Sequence, residues 1–419
     1  MSKKILINAS QLVTCSGFDA KRGKEMQELH IIEDGAVVIE NGFITAVGKT
    51  KDLLPDVTDA EVIDCTGKAV LPGFVDSHTH FVFGGYRPEE FSWRLTGVSY
   101  MDIMQRGGGI NATTFPTRAA TLDQLKEDGR RRLSSMLSFG VTTVEGKSGY
   151  GLDRDTEVKQ LVAMNELNEE QPVDIVATFM GAHAVPPEFK GRTDAYVDYI
   201  INEVLPEVSD QNLADFCDVF CEANVFDIEQ SRKLLLAAKS FGMEVKLHAD
   251  EIVRIGGAEL AAELGAVSAD HLLQASDEGI EKMAGKGVIA TLLPATAFSL
   301  KEPYARARDM IDRGCAVALA TDFNPGSCFT NSIPLIFALA TIYMGMTIEE
   351  AITAMTINGA AALKREAQVG SIDVGKKADL ILLEYPKYQF LNYHFAVNIV
   401  EKVLKEGEVV YDKNRCFAE

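Results

Sequence analysis

The sequence has no apolar run of the kind that exports or anchors a chain. Its start, Met1-Ser2-Lys3-Lys4-Ile5-Leu6-Ile7-Asn8, is without the long apolar core of a signal peptide. The one long uncharged stretch, Phe323 to Ile348, is interrupted by Asn324, Pro325, Asn331 and Pro334, so a buried loop and helix are expected there rather than a membrane span. A disulfide framework is missing too: Cys15, Cys65, Cys217, Cys221, Cys315, Cys328 and Cys416 are odd in number and scattered, which points to a reducing, cytoplasmic compartment. Cys217 and Cys221 have no second pair and read as buried thiols, not a zinc knuckle. Clusters of lysine and arginine are absent and the net charge is -20, which excludes nucleic acid as a partner. A small anionic substrate stays compatible, because one well-placed arginine sets the local field. Nucleotide-binding loops are also lacking. Gly146-Lys147-Ser148 resembles the end of a P-loop, but the first glycine that motif needs would fall at Val141. Gly107-Gly108-Gly109 follows no dinucleotide-fold strand. Both are expected to be flexible or tight-turn segments near a rim. No solenoid-period repeat or low-complexity tract is present.

What is present is a chain of 419 residues, 47% hydrophobic, enough for one large domain plus a smaller one. From residue 70 short apolar strands alternate with longer amphipathic segments. Eight such strands end near His80, Glu145, His183, Glu222, His248, His271, Leu293 and Asp322. That count predicts an α/β fold, a (β/α)8 barrel over residues 69–367 with its chemistry at the C-terminal strand ends. Residues 1–68 and 368–419 hold short strands and turns, such as Ala36-Val37-Val38-Ile39-Glu40-Asn41-Gly42, and are expected to form one discontinuous small β-domain from both chain ends.

The polar residues collect where a barrel uses them. His78 and His80 end an apolar run, and an extended chain sends both rings to the same side. An isolated His-Thr-His is as easily a solvated turn; His183, His248 and His271, each after a short buried-strand run, shift the reading toward a site. His78, His80, His248 and Asp322 make a three-histidine, one-aspartate set suited to one divalent metal ion with an open position. Zinc is the first choice by ligand type, with iron(II) and manganese compatible. A second ion would need a bridging ligand, for which Lys246, two residues before His248, is the candidate; ligand count favours a single ion. A bound cation brings water within reach of hydroxide near neutral pH, so metal-assisted hydrolysis is the expected reaction class. Glu251 is placed to handle ring protons, and His271 to polarise a substrate oxygen.

Several segments together carry a family resemblance. Pro72-Gly73-Phe74-Val75-Asp76-Ser77-His78-Thr79-His80 with His248, His271 and Asp322 resembles the amidohydrolase superfamily. Phe83-Gly84-Gly85-Tyr86-Arg87, Lys147-Ser148-Gly149-Tyr150-Gly151-Leu152, Phe179-Met180-Gly181-Ala182-His183 and Thr321-Asp322-Phe323-Asn324-Pro325-Gly326-Ser327 narrow it to the branch that serves histidine degradation. The resemblance runs nearly end to end. It implies hydrolysis of the ring amide of 4-imidazolone-5-propanoate to N-formimidoyl-L-glutamate. It further implies that Arg87 pairs with the propanoate carboxylate, that Tyr150, His183 and Ser327 fix ring and tail, and that Asn324 and Gly326 hold the product. The proton of the attacking water would pass to Asp322 or His271, and Glu251 would hold the ring-nitrogen proton. A homodimer is implied as well. Where the resemblance calls for a small polar residue and a proline, this chain has Cys328 and Phe329. Two other readings are a mononuclear aminohydrolase of the cytosine or guanine deaminase kind, which does not need Arg87, and a catalytically silent barrel serving as an assembly subunit.

Overall fold

Two eight-stranded sheets divide the computed structural model of the chain, which describes residues 3–56, 58–98, 102, 106 and 108–415. Gly107 and Cys416 lie outside the described residues. The chain opens with β1 (Lys3–Val13), β2 (Ile31–Glu40), β3 (Phe43–Lys49), β4 (Glu61–Asp64) and β5 (Ala69–Pro72). It then runs through β6 (Phe74–Asp76), β7 (Val141–Lys147), β8 (Asp174–Ala182), β9 (Phe216–Cys221), β10 (Glu244–Ala249), β11 (Ser268–His271), β12 (Ile289–Leu292) and β13 (Val317–Leu319). It closes with β14 (Leu380–Leu383), β15 (Val400–Lys405) and β16 (Glu408–Asp412).

The outer strands from both ends form one sheet in the order β16-β15-β14-β5-β1-β2-β3, with β4 parallel on β1. The β2–β3 turn is Asn41-Gly42, both at positive φ (52° and 86°), the backbone that a two-residue hairpin requires. Ala69–Pro72 pairs with β1 and β14, so the chain passes to the barrel at Gly73, not at the expected residue 69. A side chain at Gly73 would stand 2.2 Å from Thr142 Oγ1, which is why the crossing residue carries none. Strand β14 shows how the sheet is held to the barrel. Leu380 and Leu382 pack into the sheet's own core, while Ile381 and Leu383 on the opposite face join the barrel core, and a strand buried on both sides reads as a continuous apolar run. Asp174 at the start of β8 adds a polar tie, 2.8 Å from Lys405 and 3.2 Å from Lys377.

The barrel strands run in parallel from β6 to β13 in sequence order, as the alternating pattern predicts. Helices follow the strands, several started by side-chain caps; Thr121 accepts from Gln124 N ahead of helix Leu122–Ser138, and Asp227 from Gln230 N ahead of Ile228–Ser240. The apolar stretch after Phe323 is a loop followed by helix Ile333–Ile342, and no described helix is long and apolar enough to cross a membrane. One expectation fails. Gly146-Lys147-Ser148 is neither flexible nor at a rim: Gly146 and Lys147 end β7, and Lys147 and Ser148 are fully buried. The six cysteines among the described residues are free and buried.

Candidate active site

The seam of the barrel, between β6 and β13, is joined by the segments that carry the candidate donors. Thr79 bridges in parallel to Phe323, His80 N donates to Phe323 O (2.9 Å), and Asp322 N donates to His78 O (3.0 Å). Asp76 adds a side-chain stitch, accepting from Thr321 N (2.9 Å) and Thr321 Oγ1 (2.6 Å). The His78–His80 stretch is therefore extended, and both rings turn inward as alternation requires. Ring centroids of His78 lie 5.4 Å from His80 and 4.5 Å from His248, and His80 lies 5.6 Å from His248. Asp322 Oδ1 stands 3.5 Å from His78 Nε2 and 3.8 Å from His80 Nε2. Asp322 and His271 reach the mouth on left-handed backbone (φ 51° and 70°), a conformation costing about 1–2 kcal/mol for a residue with a side chain.

The chemistry of this cluster fits a metal ion. His78 Nδ1 meets Asp270 Oδ2 at 2.6 Å, and His248 Nδ1 meets Asp218 Oδ1 at 3.2 Å. A carboxylate on Nδ1 holds the ring proton there and leaves the Nε2 lone pair facing inward. Nε2 of His78 is buried and has no hydrogen-bond partner among the described residues, an arrangement that costs about 1–3 kcal/mol unless something fills the space between the rings. Burial, with the charge of Lys147 and the neighbouring rings, holds His78 well below the usual histidine range; for His80 burial and the adjacent histidines do the same, so both favour the neutral, ligating form. Ligand atoms of His78, His80 and Asp322, and likewise of His78, His248 and His271, all lie within 4.8 Å of one another. The expected donors thus fall into two sets that share His78, and His248 groups with His271 instead of with His80 and Asp322. Lys246, weighed above as a bridge, is fully buried with its ammonium 2.9 Å from Glu145 Oε1.

Glu251 sits at the mouth with Oε2 3.6 Å from His271 Nε2. Burial and the charge of Asp322 push its carboxyl up to about 8, so it carries a proton at neutral pH. Its loop is pinned by Glu222, whose carboxylate accepts from Ile252 N (2.8 Å) and Val253 N (3.2 Å).

A cleft of about 660 Å³ is lined by Arg87, Phe91, Phe298, Pro325, Gly326 and Phe329 among others, and none of the candidate donors lines it. Arg87 is paired with Glu90, which also accepts from Gly109 N (2.8 Å). Gly326 packs against the guanidinium so closely that a Cβ there would lie 2.3 Å from Nη1. Tyr150 is buried, and its ring stands edge-on to His183 (5.2 Å) and His80 (5.8 Å); burial raises its phenol well above the usual range while Arg87 pulls the other way. His183 stacks on His80 at 4.9 Å and 16°, with Nδ1 on Gly149 O (3.1 Å). Burial and His248 lower its imidazole to about 3. Asn324 and Ser327 are nearby, but their polar groups serve the loop itself. Asn324 Oδ1 accepts from Gly326 N and Ser327 N (2.8 Å each), and its Nδ2 donates to Ser327 Oγ (2.9 Å). Cys328 is buried and Phe329 lies tilted against Phe323, with ring centroids 5.0 Å apart, an aromatic wall where a proline was expected.

Residues without a predicted role also shape the site: Glu145, Lys147, Asp218 and Asp270 below the rings, and Arg132 and Glu90 at the rim. Arg132 lies over the Phe83 ring (3.6 Å) and donates to Phe81 O (2.7 Å) and Phe83 O (3.0 Å), fixing the segment that leads to Arg87. A charged residue at alternate positions of an apolar strand, as in Val141–Lys147, was the available signal for the buried set. The rim partners come from helices and leave no such trace.

The model of the amidohydrolase family matches residues 69–410. Imidazolonepropionase of Clostridium tetani is 64% identical over 412 residues, covering 98% of each chain. Imidazolonepropionase of Parabacteroides distasonis is 60% identical, covering 97% of this chain and 99% of its own. Among solved structures, guanine deaminase of E. coli superposes with a TM-score of 0.73 at 17% identity, covering 99% of this chain and 100% of its own. A zinc-bound adenosine deaminase of Xanthomonas campestris does so at 0.72 and 18%, covering 100% and 96%. These two share the fold. The chain belongs to the amidohydrolase family and, within it, to the imidazolonepropionases.

Proposed function

We infer that the chain hydrolyses the ring amide of 4-imidazolone-5-propanoate to N-formimidoyl-L-glutamate, a step of histidine degradation. The observation that carries this reading is Arg87 at the cleft, near enough to Tyr150 and His183 for its charge to act on both, with Gly326 leaving its guanidinium room. A cation there suits a substrate with a carboxylate tail, whereas a neutral base offers it nothing to bind. That separates the reading from a deaminase, whose substrates need no arginine.

His78, His80, His248 and Asp322 would hold one divalent metal ion, zinc by ligand type and iron(II) or manganese by the same donors. Such an ion supplies a polarised ring carbonyl and water acidic enough to attack at neutral pH. Arg87 takes the propanoate, and Tyr150, His183 and Ser327 fix the ring and tail. Gly326 and the loop ordered by Asn324 line the product side. Asp322 accepts a proton from the attacking water, and His271 steadies the carbonyl oxygen as charge grows on it. Glu251, protonated at neutral pH by its burial, delivers a proton to the ring nitrogen as the C–N bond breaks. The water hydroxyl ends on the carbonyl carbon, the nitrogen keeps the proton from Glu251, and the proton taken up by Asp322 replaces the one that Glu251 gave. The compartment is cytoplasmic and the assembly a homodimer on this reading; the barrel entered at Gly73 forms the catalytic unit, and the two ends with Ala69–Pro72 form its companion domain.

The test is incubation of the purified protein with freshly generated imidazolone propanoate, following loss of ring absorbance and identifying the product. Ring opening to the formimidoyl amino acid supports the reading. Release of ammonia from purine or pyrimidine bases, with the imidazolone untouched, overturns it.

A further inference from the structure

Beneath the histidines lies a group of five fully buried charges that the reaction does not use directly: Glu145 and Lys147 on β7, Asp218 on β9, Lys246 on β10 and Asp270 on β11. Lys147 Nζ is at its centre, 2.6 Å from Asp218 Oδ2, 3.0 Å from Glu145 Oε1 and 3.5 Å from Asp270 Oδ2. Asp218 is the acceptor for His248 Nδ1, and Asp270 the acceptor for His78 Nδ1. One ammonium on β7 therefore joins the two carboxylates, on β9 and β11, that orient two different ring donors.

We propose that Lys147 is a positioning residue for the metal centre: it clamps Asp218 and Asp270 so that the Nε2 atoms of His248 and His78 are aimed at one point. The physical ground is the cost of burying like charges. A buried carboxylate survives without water only if a cation stands at contact distance, and among the described residues Lys246 reaches no carboxylate but Glu145 within 4 Å. Without Lys147, Asp218 and Asp270 lose their shared counter-charge and the strands that carry them separate. The rings then lose their common aim, although no ligand atom has been removed. Each carboxylate has a further hold, Asp270 Oδ1 from Ser268 Oγ (2.7 Å) and Asp218 Oδ1 from Val219 N (2.6 Å), but the ammonium of Lys147 stands closer to Asp218 (2.6 Å) than to Asp270 (3.5 Å). His248 is thus the donor more exposed to loss of Lys147.

This rests on the reading of His78, His80, His248 and Asp322 as metal donors, and the test separates the two. Metal-stripped protein is titrated with zinc against a competing chelator, and with cobalt for its visible ligand-field spectrum. Unmutated protein must bind one ion; if it does not, the donor reading falls. If it does, Lys147→Met is expected to bind zinc about 10- to 100-fold more weakly, the range for loss of groups that orient ligands, with a changed cobalt spectrum. A folded Lys147→Met variant with unaltered affinity and spectrum overturns the proposal, even if it melts earlier. Lys147→Met leaves the buried group one cation short, so the charge-balanced variant Lys147→Met with Glu145→Gln is measured beside it, and the same two readouts decide. Should neither fold, isotope-edited proton NMR of the unmutated chain decides. A Lys147 ammonium whose protons exchange slowly with water and couple to Asp218 and Asp270 supports the clamp, and a neutral or freely exchanging amine overturns it.

Discussion

The floor and the rim of the mouth are built on different principles. On the floor the donors stand on strands or their immediate extensions, and two of them, His78 and His248, rest on buried carboxylates of other strands, Asp270 on β11 and Asp218 on β9. At the rim, Arg87, Gly326 and Ser327 sit on loops, and what holds them is a lattice of backbone bonds: Asn324 gathering its own turn, Glu222 gathering Ile252 and Val253, Arg132 gathering Phe81 and Phe83. The difference separates two tasks. A metal centre demands fixed angles, which strands supply; a substrate that arrives and leaves demands parts that yield a little, which loops supply.

That contrast can be broken at several points. The largest effect is expected on the floor. Removing His248 as His248→Ala should strip the ion and with it several kcal/mol of barrier lowering, at least about a thousandfold in turnover, read by metal analysis beside a ring-opening assay. Retention of both metal and rate would mean the floor does not do what its geometry suggests. Glu251→Gln should lower kcat by about 10²- to 10⁴-fold with metal content unchanged, because only a proton carrier is lost. At the rim the penalty should move to binding. Arg87→Met should raise KM about 10- to 150-fold, the equivalent of a charged hydrogen bond of about 1.5–3 kcal/mol, and leave metal affinity alone. If kcat fell and KM stayed, the arginine would belong with the floor. Gly326→Ala sharpens the point: its Cβ meets only the movable end of Arg87, so KM should rise about severalfold while unfolding free energy changes by less than about 1 kcal/mol. Away from both regions, Asp174→Ala should cost about 1 kcal/mol or less in denaturant unfolding and nothing in turnover, since Asp174 is itself partly exposed and Lys405 keeps Asp379 as a partner at 2.6 Å.

The floor was also the more legible half. His78, His80, His248 and Asp322 stand out because an apolar strand that ends in imidazole or carboxylate has no packing reason to do so, and the eight strands themselves follow from alternation. The carboxylates behind the rings were harder. Asp218 and Asp270 lie inside short apolar runs, where nothing local distinguishes a buried anion with a lysine on the next strand from an exposed one on a shorter element. Gly146-Lys147-Ser148 was misread for the same reason: a glycine beside a lysine suggests a turn until the partners on β9 and β11 are known. Glu90 and Arg132 at the rim depend on how a helix lies across a loop, a relation without sequence period. Strand Ala69–Pro72 was assigned to the barrel because its apolar run continues into β6; only its hydrogen-bond partners show that it belongs to the other sheet.

The way the cylinder is zipped shut has a last consequence. Its first and final staves meet through a handful of bonds, and those bonds belong to Thr79, His80, Asp322 and Phe323, the neighbours of the donors themselves. An ion gripped by His78 and His80 on one lip and Asp322 on the other would rivet the joint from inside, since anything that binds only the folded chain holds it folded. Heat tolerance should then follow metal supply, and starvation for the ion would shorten the life of each molecule as well as silence it.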